Sequence, residues 1–297
     1  MNKFDRVEVK ELASRARSLL FVPGDKPERV KKALASNADG VIVDLEDAVT
    51  AENRGRARSF LKQERGDSLG SKPPLFIVRV NSFGTLDFFE DLKSVLAAGV
   101  EIIMVPKFVA GDAANEMETE LLRLEAEAGK VVPVQVIALI ESAAGVLSLL
   151  NSSHLPSRVL RLAFGAADFH ADLDTSHLPP NSHTDLAHSA LVLASAAASL
   201  GAPLDSPYFS LDDDAGLRQS ARIAREKGFG GKLAIHPNQI PGIHEGFQIS
   251  EDQLRWARQV VAGWESPARA GSGAIRVDGQ LVDAAIVGRA HQIIANQ

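Results

Sequence analysis

Cysteine is absent from the 297 residues. That removes thiol nucleophiles, thiolate metal sites and disulfides, and it fits a reducing compartment. A basic excess is also missing. Lys and Arg total 32 against 38 Asp and Glu, a net charge of −6, so the balance gives no pointer to nucleic acid. The local cluster Lys26, Arg29, Lys31 and Lys32 reads as the solvated face of a helix. The polar stretch Met1 to Arg17 has no apolar h-region, so no signal peptide is expected. No apolar run reaches the length of a membrane span. Val131 to Ile140 is interrupted by Pro133 and Gln135 and reads as a buried strand. No G-x-G-x-x-G follows the first apolar run, which weakens a dinucleotide-binding reading. The expectation is a cytoplasmic protein with neither a membrane nor a nucleic acid as partner.

What is present is ordinary for a globular chain: 45% hydrophobic and 24% charged residues. The length suits one large barrel or two smaller domains. Strands are expected at Leu19–Val22, Gly40–Leu45, Leu75–Val80, Ile102–Val105, Val134–Ile140, Val159–Phe164 and Lys232–Ile235, with a short, weak one around Pro203–Asp205. Helical spacing alternates with them, over Lys26–Ser36, Ala51–Glu64, Leu86–Ala98, Ala113–Ala128, Ala143–Leu150, Asp185–Leu200 and Asp213–Lys227. A long loop is expected over Asp168–Pro180. Such alternation argues for a parallel sheet. Eight repeats of about 30 residues favour closure into a (β/α)8 TIM barrel over residues 1–249. The pattern then changes. A helix over Glu251–Trp264, a Gly/Ala/Pro linker over Ser266–Gly273, a tight turn at Val277–Gln280 and a last helix over Val282–Ala295 make residues 250–297 a C-terminal helical extension, or lid.

Several strands end in residues capable of chemistry, and a barrel gathers strand ends on one face. Glu141 and Asp168 form a sparse oxygen site of the kind Mg2+ accepts, because that ion keeps waters and takes further ligands from substrate. The plainer reading pairs each carboxylate with a nearby Arg or Lys. Gly165-Ala166-Ala167 lets backbone N–H groups approach an anion, or is a tight turn. Arg79 can grip a carboxylate or a developing oxyanion with its fork of donors. The same residue can instead form an internal salt bridge to Glu46 or Asp47. Lys107 adds positive charge after Pro106. Glu46 and Asp47 are neighbours, so in extended chain they face opposite ways and at most one enters the site. His236, before Pro237, reads as structural.

The run Arg17-Ser18-Leu19-Leu20-Phe21-Val22-Pro23-Gly24 resembles the citrate lyase beta-subunit-like proteins. So do Asp44-Leu45-Glu46-Asp47-Ala48-Val49, Val78-Arg79-Val80-Asn81, Ile140-Glu141-Ser142, Phe164-Gly165-Ala166-Ala167-Asp168-Phe169 and Gly231-Lys232-Leu233-Ala234-Ile235-His236-Pro237. With the malyl-CoA and citramalyl-CoA lyases, these proteins are a branch of the HpcH/HpaI aldolase superfamily. The resemblance implies a Mg2+-bearing barrel that is trimeric or a multiple of trimers. It implies Glu141 and Asp168 as metal ligands and Arg79 as a substrate-binding residue. A family motif that reaches a neighbouring subunit's site matches Gly279-Gln280-Leu281-Val282-Asp283, which hands its acidic role to Asp283. Gln280 and Leu281 replace the usual Lys and Met, Asp174 replaces a Gly, and His188 stands where Arg is common. The implied reaction cleaves or forms a C–C bond in a 3-hydroxy-3-carboxy acyl thioester such as citramalyl-CoA or malyl-CoA, giving acetyl-CoA and a 2-oxo acid. Two alternatives stand beside it: a citrate lyase beta subunit acting on an acyl carrier protein thioester, and a non-catalytic binding relative.

Overall fold

The computed structural model describes residues 6–64, 74–152, 154–175, 182–266 and 273–295. The chain divides into two compact units, Met1–Phe247 and Gln248–Gln297. In the first, strands β1 (Ser18–Pro23), β2 (Gly40–Asp44), β3 (Leu75–Arg79), β4 (Ile102–Val105), β5 (Gln135–Ile140), β6 (Val159–Phe164), β7 (Leu204–Asp205) and β8 (Gly231–Ala234) run in chain order round a closed barrel. Every neighbouring pair is parallel, and β8 closes onto β1 through Ser18↔Lys232 and Leu20↔Ala234. The helices are α1 (Arg6–Arg15), α2 (Pro27–Leu34), α3 (Arg54–Glu64), α4 (Leu86–Ala98), α5 (Asp112–Glu127), α6 (Ala143–Asn151), α7 (Ala166–Asp172), α8 (Ser182–Ala197), α9 (Asp214–Glu226) and α10 (Gln239–Gly246).

Alternation along each strand divides the core in two. Leu19, Ile42, Ile77, Met104, Ile137, Leu139 and Leu233 pack inside the barrel. Val41, Val43, Val78, Ile103 and Leu162 face the helices and meet Phe88, Leu92 and Leu121. Both strand faces are therefore buried, which is why the strands read as continuous apolar runs. Inward residues nearest the C-terminal strand ends break the apolar rule. Asp44 follows Ile42 and Arg79 follows Ile77, each two residues on and so on the same face.

Three differences from the sequence expectation have local causes. The polar N-terminus forms α1, whose Val9 and Ala13 join the inner cluster. The fully buried Arg161 anchors it, donating to the carbonyls of Ala13 at 2.9 Å and Ala16 at 2.7 Å. The stretch expected as loop from Asp168 is the short helix α7 as far as Asp172, too brief to show a period; residues 176–181 lie outside those described. Helix α10 carries Pro241 in its first turn, where proline is tolerated. Its Gly246 lies so close to α9 that a Cβ would sit 2.4 Å from that of Ala221.

In the second unit, α11 (Glu251–Glu265) begins with a capping box between Ser250 and Gln253. Strands β9 (Ile275–Val277) and β10 (Gln280–Val282) form an antiparallel hairpin. Its turn residues, Asp278 (φ 46°) and Gly279 (φ 81°), are left-handed, as a two-residue hairpin loop requires. Helix α12 (Ala284–Ala295) starts two residues later than Val282, which belongs to β10. Ala257, Val260, Val282, Val287 and Ala290 form this unit's own core. Residues 267–272 of the expected linker lie outside the described chain.

At the N-terminal end of β6, Arg158 is buried and donates to Glu118 (2.6 Å), Glu125 (2.8 Å) and the Val134 carbonyl (3.0 Å). The Val134 N–H donates back to Glu125 at 2.6 Å. Removing one member of a buried ion pair leaves a charge without compensation. Glu125→Ala should therefore lower unfolding free energy by about 3 kcal/mol in urea denaturation. A loss under about 1 kcal/mol would mean that Glu118 alone compensates the guanidinium.

Candidate active site

Asp44 and Arg79 are register partners at the ends of β2 and β3. Arg79 donates from Nε to Asp44 Oδ1 at 2.7 Å and from Nη2 to Oδ2 at 2.6 Å. The same carboxylate accepts the backbone N–H of Glu46 and of Ala48, each at 3.0 Å. That curls the chain after β2 into a turn. Consequently Glu46 and Asp47 do not point opposite ways: their carboxylates lie 3.1 Å and 3.2 Å from Arg79 Nη1. The expectation of opposite faces fails because strand geometry ends at Asp44. Phe21 on β1 offers its ring face to the guanidinium, 4.9 Å away. The salt bridges expected to Glu46 and Asp47 are present, but the principal partner is Asp44, which sequence reading passed over. The missed signal was its alternation with Ile42, together with the β2–β3 register.

Glu141 follows β5 and is 3% exposed. Its Oε1 accepts the Lys107 N–H at 2.9 Å. Lys107 has φ 50°, a left-handed value unusual outside glycine. Its ammonium lies 4.0 Å from Glu46 Oε1, which links β4 to the same group of charges. On the other side stands Gly165, where a Cβ would come within 2.6 Å of Glu141 Oε2. Asp168 sits in the first turn of α7, half-buried, and its charge acts on Glu141. Ala166 and Ala167 precede it in that turn, Ala167 exposed.

Burial pushes the Glu141 carboxyl up to about 8, and the charges of Glu46 and Asp168 add to the rise against the Lys107 N–H and Arg79. Burial likewise lifts Glu46 to about 7, with Arg79 opposing and Asp47 and Asp44 reinforcing. Glu46 Oε2 is buried with an ion contact but no aligned hydrogen bond. Asp44, Glu46, Asp47, Glu141 and Asp168 thus outnumber Arg79 and Lys107. Such a donor set fits a divalent cation. Among the described residues no group of three or more His, Asp or Glu side chains could hold a metal by itself, so the protein would supply few ligands.

Three other candidates of the first unit, His236, His188 and Asp174, stand outside this group of charges. His236 accepts the Asn238 N–H at 3.2 Å in the loop after β8. His188 packs between the rings of Phe164 and Phe229, with Nε2 3.4 Å from Asp205, the buried partner of Lys232. Asp174 has φ 50°, a conformation that glycine adopts freely and Asp tolerates. Asp283 is exposed in the second unit and caps α12, accepting from the N–H groups of Ala285 and Ile286 at 3.1 Å.

A closed parallel barrel with acidic residues and an arginine at its C-terminal strand ends has the layout of a barrel enzyme. The HpcH/HpaI aldolase/citrate lyase family model matches residues 17–237. The chain is 30% identical over 279 residues to the citrate lyase subunit beta of Leuconostoc mesenteroides subsp. cremoris, covering 94% of this chain and 92% of that one. It is also 30% identical over 297 residues to the L-malyl-CoA/beta-methylmalyl-CoA lyase of Cereibacter sphaeroides, covering 94% and 93%. The crystal structure of the protein CitE from Mycobacterium tuberculosis, in complex with magnesium, acetoacetate and coenzyme A, superposes with a TM-score of 0.75. That match has 29% identity and covers 95% of this chain and 98% of that one. The chain belongs to the HpcH/HpaI aldolase/citrate lyase family and is a carbon–carbon lyase.

The raised carboxyls set a pH dependence. Between about 4.5 and 8 the folded, metal-free protein holds protons on Glu46 and Glu141 that the unfolded chain releases. Stability should therefore rise as pH falls from 8 towards 5, and Tm should follow. Glu46→Gln combined with Glu141→Gln should flatten that slope. An unchanged slope in the double variant would place the effect elsewhere.

Proposed function

We propose that this lyase cleaves or forms the C–C bond of a 3-hydroxy-3-carboxy acyl thioester, with Mg2+ held by Glu141 and Asp168. The observation that carries the reading is the buried Glu141, with the charge of the half-buried Asp168 acting on it, in a carboxylate-rich site with Arg79. Bound Mg2+ would chelate the substrate's carboxylate and 3-hydroxyl and lower the pKa of that hydroxyl. The chain's own groups do the rest. Asp44 occupies Nε and Nη2 of Arg79, so the guanidinium meets substrate through its Nη1 edge, beside Glu46 and Asp47. From there it stabilises the negative charge of an acetyl-thioester enolate as the bond breaks. Lys107 adds charge beside Glu46, and the small Gly165-Ala166-Ala167 segment leaves room next to Glu141. Asp283, donated by a neighbouring subunit of a trimer, accepts the hydroxyl proton. The 2-oxo acid is one product; the enolate carbon then takes up a proton, from the acid formed at Asp283 or from water, to give acetyl-CoA.

Acyl-CoA is the favoured thioester, on the likeness to a malyl-CoA lyase and to a structure containing coenzyme A. The equal identity to a citrate lyase beta subunit supports a second reading, an acyl carrier protein thioester. A pull-down with acyl carrier protein, beside a screen of citramalyl-CoA and malyl-CoA, separates the two. No helix among the described residues is long and apolar enough to cross a membrane, and we place the reaction in the cytoplasm.

Glu141→Gln and Asp168→Asn should each abolish Mg2+-dependent turnover and weaken Mg2+ binding at least tenfold by calorimetry. Unchanged binding in both variants would remove the metal assignment. Donation of Asp283 in trans has its own test. Asp283→Asn subunits co-assembled with Glu141→Gln subunits should recover part of the activity, because some sites combine an intact metal pair with an intact Asp283. No recovery in verified mixed oligomers would refute it.

A further inference from the structure

We propose that Asn81 is a positioning residue that fixes the turn carrying Glu46 and Asp47, held in place by the buried Asp91 and, behind it, by Arg58. The inference rests on the reading of Glu46 and Asp47 as parts of the active site. Asn81 lies two residues past Arg79 and is 5% exposed. Its side-chain amide donates to the Leu45 carbonyl at 3.0 Å and to Asp91 Oδ2 at 2.7 Å. Two hydrogens are available on that nitrogen, and two acceptors take them. The backbone N–H of Asn81 donates to the same Asp91 oxygen at 2.8 Å. Asp91 projects from α4 and is fully buried. Its other oxygen accepts from Arg58 Nε at 2.7 Å, and Arg58 is tied in turn to the side chain and backbone carbonyl of Asp87.

The chain of contacts therefore runs from the α3–α4 surface to the peptide between Leu45 and Glu46. Among the described residues Asn81 is the donor that holds the Leu45 carbonyl, whereas the flanking N–H groups of Leu45 and Glu46 are held by the Arg79 carbonyl and Asp44. Rotating that peptide would draw the Glu46 N–H off Asp44 and swing Glu46 and Asp47 away from Arg79 Nη1. The network thus acts on the placement of two carboxylates rather than on the pair that would hold the metal. A displacement of about 1 Å in a reacting group costs about a hundredfold in rate.

The experiment uses the full-length protein and three variants: Asn81→Ala, Asp91→Asn and, as a control, Glu125→Ala. The control breaks a buried network of similar size on α5. Hydrogen exchange reads the turn directly. Amides 45–48 should exchange at least tenfold faster in Asn81→Ala and Asp91→Asn, and at the wild-type rate in Glu125→Ala. With citramalyl-CoA, kcat should fall ten- to a hundredfold in the first two variants, while the Kd for Mg2+ alone, by calorimetry, stays within twofold of wild type. The control should lose stability yet keep its kcat. Wild-type exchange at 45–48 in folded Asn81→Ala and Asp91→Asn would overturn the proposal. So would wild-type kcat in both. If the wild-type protein turns over none of the acyl thioesters, the functional reading fails, and the exchange arm still decides the positioning.

Discussion

The bidentate pair between Asp44 and Arg79 is the constraint on which the site depends. Each partner is buried, and an isolated guanidinium or carboxylate there would carry a desolvation cost of several kcal/mol. The fork removes that cost only because the rest of Asp44 is also satisfied. Its two oxygens take two guanidinium N–H groups and the amides of Glu46 and Ala48, which uses the acceptor capacity of an ionised carboxylate. A buried pair of this kind is a weak source of stability compared with apolar residues of the same volume. What it contributes is orientation. It locks two strand ends in register, curls the chain beyond β2, and turns one edge of the guanidinium towards Glu46 and Asp47.

The remaining charges follow from that arrangement. With Arg79 committed to Asp44, its positive charge is divided among several carboxylates. Glu141 gains a backbone N–H and a distant guanidinium, which do not offset its burial. Burial and mutual repulsion therefore favour protonated carboxyls, and a divalent cation would relieve the same repulsion. A group that binds only the folded state stabilises it in proportion to its occupancy. Binding must also displace the protons held on Glu141, so cation affinity and pH are linked.

The barrel was legible in the sequence because both faces of its strands are buried, so each appears as an apolar run between helical segments. Even β7, only Leu204–Asp205, falls where a short, weak strand around Pro203–Asp205 is expected. What stayed hidden were elements without a period. Helix α1 is polar along most of its length, α7 is under two turns, and α10 contains Pro241 in its first turn and Gly242 beside it. Within the site, Glu141, Arg79 and Lys107 announced themselves as charges at strand ends. Asp44 did not, since its importance lies in its register with Arg79, and register is a property of two strands rather than one. The curl that brings Glu46 and Asp47 together depends on the same carboxylate and was invisible for the same reason. The role given to Asp283 came from family resemblance alone; nothing in the periodicity of the tail distinguishes it from any helix cap.

Two backbone features shape the surroundings of Glu141. Lys107 holds a left-handed φ, at a cost of about 1–3 kcal/mol for a residue with a side chain, and from that conformation its N–H reaches Oε1. Gly165 omits the Cβ that would collide with Oε2. One oxygen is therefore held by a fixed donor, and the other is given space by a missing side chain. Neither feature depends on the charge of the residue that supplies it. Lys107 acts on Glu141 through its peptide, and its ammonium points instead to Glu46. The carboxylate is thereby sorted into a held oxygen and an offered one before any ligand arrives, so a cation meeting it has one geometry to accept and little reorganisation to impose.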